Sequence, residues 1–215
     1  MSVVDTTGDA SGSLLERALA EAGVAVEDDA HAELLDAAYE LFCRHGIQRT
    51  TMDDVAKAAG LSRITVYRRL SSKEALVEQV VLREFRRYLD QFLLDIAPAR
   101  TAEERVVLGF VSSLRSIRSN PLIGGLMVAE PQALVPMLER TGRTLETVSR
   151  FVAGQLRREQ AAGHVAPGVD VDLVAEVMVR LTTSFLLTPS HQVDLDDDAQ
   201  VGDVARRYLA PMLRG

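Results

Sequence analysis

Residues 50–70 read TTMDDVAKAAGLSRITVYRRL. Two short helical patterns meet at Gly60. Thr51 suits the N-cap of the first, and Asp54 three residues later completes an approximate capping box and complements the helix dipole. Val55, Ala56 and Ala59 make its apolar side. Gly60 permits a left-handed turn. Ser62 then caps a second helix, in which Val66 and Leu70 face inward. Two short helices joined by a tight glycine turn form a helix-turn-helix, and the small Ala56 and Ala59 let its helices approach closely. The outer face of the second helix presents Arg63, Ile64, Thr65, Tyr67, Arg68 and Arg69, and Lys73 opens the next helix.

That face suits DNA. An arginine reads guanine bidentately in the major groove, and an apolar side chain such as Ile64 meets a thymine methyl. Hydroxyl and amine side chains bond phosphates and fix orientation. Lys73, in the first turn of its helix, combines a cation with free backbone N–H groups, which makes a phosphate site. The formal charge of the chain is -7, which argues against a polyanionic partner until its distribution is read. Residues 1–30 hold one Arg against seven acids. Residues 44–73 hold seven basic side chains (Arg44, Arg49, Lys57, Arg63, Arg68, Arg69, Lys73) against two acidic ones, Asp53 and Asp54. The positive field is local and sits on the helix-turn-helix.

The remainder reads as helix. With 47% hydrophobic residues the 215-residue chain can bury a substantial core. Residues 1–28 form an acidic, flexible leader, in which LLERALAEAG can hold a short helix. Asp29 can cap a first long helix ending at Gly46. Residues 29–76 make the helix-turn-helix domain and 77–215 a larger domain. Ser72 caps a long helix that ends near Pro98. TAEE at 101–104 is a capping box opening a helix to about Ser119. Pro121 and Pro131 suit the first turns of further helices. Another helix stops near Gly163, Asp170 caps one that ends before Pro189, and AQVGDVARRYLAPML closes the chain. No segment alternates with period two, so the expectation is an all-α fold of nine or ten helices.

The stretch from about Leu34 to Val77 resembles the N-terminal DNA-binding domain of the TetR family of bacterial transcriptional regulators. LLDAAYELFCRHG, TTMDDVAKAAGLSRITVYRRL and SSKEAL carry the resemblance. It implies a three-helix domain whose third helix enters the major groove, a homodimer, and a larger, variable ligand-binding domain. By position it makes Thr51, Thr65, Tyr67 and Lys73 phosphate contacts, and Ser62, Arg63, Ile64 and Arg69 residues that approach bases. Leu70 stands where many members carry Phe and keeps an apolar anchor. Over 90–215 only helix count, helix length and the ending ARRYLAPML agree.

Other chemistry finds less support. Cys43 and His45 are two apart and share no helix face, so with His31 they make a poor metal site; Cys43 reads as a small packed residue. DLDDDAQ begins like a calcium loop, but Ala199 and Ala205 stand where such a loop needs Gly and Glu, and acids capping the final helix explain it better. No Ser–His–Asp or paired-carboxylate pattern surrounds His164 or His191, and phosphate-binding loop signatures are absent. No enzyme activity, metal or cofactor is expected. No signal peptide or apolar run of roughly 18 residues is visible, and one cysteine allows no intrachain disulfide. A cytoplasmic protein without a membrane partner is expected.

Two further expectations concern the larger domain. Leu173, Val174, Val177, Leu181 and Phe185, with Val201, Val204, Tyr208, Leu209 and Met212, offer more apolar surface than one intramolecular contact needs. The resemblance places the dimer bundle there, as a two-fold four-helix interface over 170–188 and 198–213. The remaining helices exceed what dimerisation requires, which points to a mostly apolar pocket for a small lipophilic effector. Its expected lining is Phe110, Leu114, Met127, Met137, Phe151 and Met178, with Arg118 and Thr182 as polar anchors. The reading is a ligand-responsive regulator that binds a palindromic operator in double-stranded DNA as a dimer and represses. The alternatives are a DNA-processing enzyme with a helix-turn-helix module and a helical interaction protein. Salt-dependent binding to a palindrome excludes the last, and chemical change in that DNA identifies the second.

Overall fold

The computed structural model describes residues 29–123, 141–188 and 190–215. Among them every regular element is helical. The elements are α1 (Asp29–His45), α2 (Met52–Ala58), α3 (Arg63–Arg69), α4 (Lys73–Ile96), α5 (Ala102–Ser119), α6 (Thr141–Ala161), α7 (Val171–Leu187) and α8 (Asp198–Val204). A helical turn at 121–123 follows α5. The expected leader helix, the helix at Pro131, and Met127 and Met137 lie outside the described residues.

The helix boundaries follow local chemistry. Thr51 Oγ1 accepts from Asp54 N, and the Asp54 carboxylate accepts from Thr51 N, which closes the capping box at α2. Ser62 caps α3, Ser72 caps α4 and Asp170 caps α7, each accepting first-turn N–H groups that the helix leaves free. Gly60, at φ 64°, makes the turn between α2 and α3. Two expectations at helix starts change. Thr101 caps α5, but Glu104 returns its bond to Arg100 N rather than to the cap residue. Asp29 lies inside α1 rather than ahead of it. At the C-terminus the helix passes from α to an i→i+5 stretch over Ala205–Leu209 and then to a 3-10 turn over Ala210–Leu213. Pro211 lacks the N–H that α-helical bonding would use there.

Two hydrophobic cores result. The N-terminal core joins Leu34, Leu35, Ala38 and Phe42 of α1 with Val55 of α2, Val66 of α3, and Leu76 and Val80 of α4. Leu122, only 2% exposed and distant in sequence, completes it. The second core joins α5, α6, α7 and the C-terminal helix through Phe110, Leu114, Ala153, Leu156, Ala175, Met178, Val201 and Leu209. Gly109 lets α4 and α5 close up, since a Cβ there would stand 3.3 Å from the Phe92 ring.

Cys43 departs from expectation. It is exposed rather than packed, because the buried side of α1 is carried by Leu34, Leu35, Ala38 and Phe42. Desolvation raises its thiol pKa, with Glu84 adding to the rise and a Tyr39 hydrogen bond opposing it. The thiol is therefore poorly activated.

Candidate nucleic-acid interface

Of the residues that the sequence marks for DNA, Thr51, Ser62, Arg63, Ile64, Tyr67, Arg68 and Arg69 are exposed, and Thr65 and Lys73 are half-buried. On α3, Ile64 is 79% exposed, and Tyr67, Arg68 and Arg69 are exposed beside it. Val66, on the opposite face, is fully buried. This is what a recognition helix needs: one residue anchors while its neighbours project. Ser62 accepts from Thr65 N at 3.1 Å, and the two hydroxyls lie 2.8 Å apart. The first turn of α3 is thereby fixed before any ligand arrives. Arg63 forms an ion pair with Asp53 of α2, Nε to carboxylate oxygen at 3.1 Å, and its guanidinium lies 5.4 Å from the centre of the Tyr67 ring.

Two helix starts carry the other expected contacts, Thr51 at α2 and Lys73 at α4. Thr51 and Asp54 share a 2.6 Å hydrogen bond at the start of α2. Hydrogen bonds from the Thr51 side chain and backbone hold the Asp54 carboxyl below the usual carboxylate range. Lys73, in the first turn of α4, donates Nζ to the Gln48 carbonyl at 2.9 Å, tying α4 to the turn before α2. An ammonium has three donors, so two remain for an anion.

The family description "Bacterial regulatory proteins, tetR family" matches residues 34–80. An HTH-type transcriptional regulator of Mycobacterium tuberculosis is 30% identical over 178 residues, covering 83% of this chain and 84% of that protein. The chain belongs to the TetR family of bacterial transcriptional regulators. Among solved structures, Salmonella enterica GusR superposes with a TM-score of 0.66 at 20% identity, covering 88% of this chain and 98% of that one. The TetR family repressor AlkX from Dietzia, described as implicated in biodegradation of n-alkanes, superposes with a TM-score of 0.55 at 26% identity. It covers 84% of this chain and 93% of its own. The Mycobacterium protein and AlkX are transcriptional regulators rather than enzymes. Among the described residues no helix is long and apolar enough to cross a membrane, and no cluster of His, Cys, Asp and Glu could hold a metal ion. Asp197 caps α8, while Asp196 and Asp198 pair with Arg118 and Arg115.

In this TetR-family regulator, α4 carries the connection between the two cores. Arg83 donates to the Ala32 carbonyl at 3.2 Å and pairs with Asp36 at 2.8 Å, both on α1. The buried Glu84 accepts from Arg87 at 2.8 Å and from Asn120 at 3.2 Å. Asn120 also caps the turn that presents Leu122, accepting from the N–H groups of Leu122 and Ile123. Sequence reading missed this joint. The Glu84–Arg87 spacing and the Asn-Pro pair at 120–121 were visible, but their meeting across 36 residues was not.

The expected effector lining divides. Phe110, Leu114 and Met178 are buried in the second core. Arg118 is committed to Asp196 at 2.8 Å, and the Thr182 hydroxyl to the Met178 carbonyl at 2.9 Å. Phe151 lies elsewhere, edge-on to Phe92 at 6.4 Å. It ends an aromatic series along α4, in which Phe85, Tyr88 and Phe92 follow at 5.6 and 6.0 Å. All four rings are half-buried. The Tyr88 hydroxyl meets Ser113 Oγ at 2.9 Å; burial pushes its pKa up, and the Ser113 bond opposes the rise.

The expected dimer residues divide as well. Val201 and Leu209, each 1% exposed, are consumed by the protomer's own core. Val174, Leu181, Phe185, Val204 and Met212 are half-buried against it. Leu173 and Val177 of α7 and Tyr208 of the C-terminal helix remain exposed.

Proposed function

We propose that this TetR-family protein is a dimeric repressor that releases a palindromic operator when a small lipophilic effector binds. The observation carrying the reading is the projecting face of α3, with Arg63, Ile64 and Tyr67 outward and Val66 as its buried anchor. Ser62, Arg63, Ile64 and Arg69 approach base edges, Thr51, Thr65, Tyr67 and Lys73 take phosphates, and Arg68 adds to the cationic face. A palindrome requires two such helices about 34–36 Å apart. The exposed Leu173, Val177 and Tyr208 support a two-fold contact between copies, since lone apolar side chains of this size gain most when covered.

An effector acts by favouring a dimer whose helix spacing no longer fits DNA. The half-buried rings of Phe85, Tyr88, Phe92 and Phe151 support an apolar wall for it, with the Tyr88–Ser113 pair as the polar point. That α4 bears three of these rings and also holds α1 through Arg83 supports α4 as the transmitting element. AlkX, a repressor linked to n-alkane degradation, is consistent with repression and with a lipophilic effector.

The test is fluorescence anisotropy on the DNA upstream of the protein's own gene, titrated with salt and then with long-chain alkanes, acids and alcohols. Salt-sensitive binding to a palindrome, lost on adding one compound, is the expected result. Binding that no compound changes leaves a constitutive regulator.

A further inference from the structure

Asp53 stands out on the DNA-facing surface. It is one of two acids among the basic residues of 44–73, and the other, Asp54, is used by the capping box. A carboxylate among phosphate-binding cations weakens binding to every DNA sequence alike. It forms an ion pair with Arg63, the residue assigned above to base reading, and both side chains are more than half exposed. Asp53 also lies in the first turn of α2, where an acid complements the helix dipole, but that effect needs no partner and exposed pairs add little to folding stability, so stability does not account for the pairing with Arg63.

Geometry does. Asp53 engages Nε of Arg63 at 3.1 Å. End-on bidentate guanine reading uses the terminal nitrogens Nη1 and Nη2, and an Nε already paired with Asp53 favours that mode over the side-on one. Tyr67 holds the guanidinium from a second side, 5.4 Å from its ring centre. An arginine on a flexible stem loses rotamer entropy when it docks. One held at Nε and against a ring has lost much of it beforehand. We propose that Asp53 is a specificity-determining residue: it holds Arg63 in the orientation that reads guanine, at the cost of weaker binding to every sequence alike. The uniform loss cancels between the operator and competing DNA, and the oriented Arg63 widens the gap between them. The inference rests on the base-reading role of Arg63 given above.

The experiment selects binding sites from a random-sequence duplex library with the full-length protein and with the D53N, D53E and R63A variants. Wild type is expected to select a G·C pair in each half-site that R63A no longer selects. D53N should prefer that same pair about tenfold less than wild type, while its affinity for unselected random duplex is unchanged or higher. D53E, which keeps a carboxylate at this position, should recover most of the preference. Circular-dichroism melting should show D53N folded, because Asp54 retains the capping box of α2. D53N selecting the pair as strongly as wild type, or tightening on all sequences equally, overturns the proposal. R63A selecting the same sites as wild type instead removes the base-reading role of Arg63, and the proposal with it.

Discussion

Asn120 donates its side-chain amide to the buried Glu84 carboxylate at 3.2 Å and caps the turn that inserts Leu122 into the helix-turn-helix core. One residue thus fixes the end of α5 both to α4 and to the DNA-binding region. Leu122→Ala removes a side chain only 2% exposed and should destabilise the protein by about 2–5 kcal/mol. Asn120→Ala loses a cap and strands a buried carboxylate oxygen, at about 1–3 kcal/mol. Urea unfolding measures both. Wild-type stability in Leu122→Ala would show that this contact is dispensable.

Gly60 tests the turn of the helix-turn-helix. A Cβ at this position would meet nothing within 4 Å, so the cost of Gly60→Ala comes only from the backbone at φ 64°. It should be about 1–2 kcal/mol, read as a lower urea midpoint with an unchanged slope.

The exposed part of the expected dimer stripe is narrower than sequence patterning suggests. Leu173 is 57% and Tyr208 60% exposed. The double variant Leu173→Glu, Tyr208→Glu should sediment as a monomer at micromolar concentration while keeping its helical circular dichroism. A variant that stays dimeric would relocate the interface.

On the DNA face, Lys73→Ala should weaken binding to all sequences and reduce the salt slope by about one. Ile64→Ala should leave that slope unchanged and relax preference at one position. Anisotropy titrations at several salt concentrations separate the two, and identical behaviour of both variants would dismiss the division between phosphate and base contacts.

Acid should loosen the joint between α4 and α5. Asp95 accepts from Ser112 at 2.7 Å, from Gln91 at 2.7 Å and from Arg115 at 2.9 Å. Desolvation pushes its pKa upward, but these bonds prevail and hold it below the ordinary value. A carboxyl with a lowered folded pKa binds fewer protons folded than unfolded. Its stabilisation is therefore complete above the unfolded value, about 3.9, and is lost as pH falls through the folded one. Asp95→Asn should be less stable than wild type at pH 7, and the gap should shrink below about pH 4. A gap that does not change with pH would exclude this carboxylate.

Local chemistry settled what the sequence by itself determined. The caps at Thr51, Ser62, Ser72 and Asp170, the positive φ of Gly60 and the outward face of α3 each depend on residues a few positions apart. Such signals survive in one dimension because helix geometry fixes their spacing. Only the tertiary structure decided how equivalent apolar residues are shared out. Leu209 and Tyr208 are neighbours in one helical pattern, yet one is core and the other exposed. Phe110 and Phe151 look alike in sequence, yet one fills the core and the other joins the aromatic series of α4. Arg118 pairs with Asp196, 78 residues away. Burial and long-range pairing depend on which faces of different helices meet, and periodicity within one helix carries no record of its neighbours.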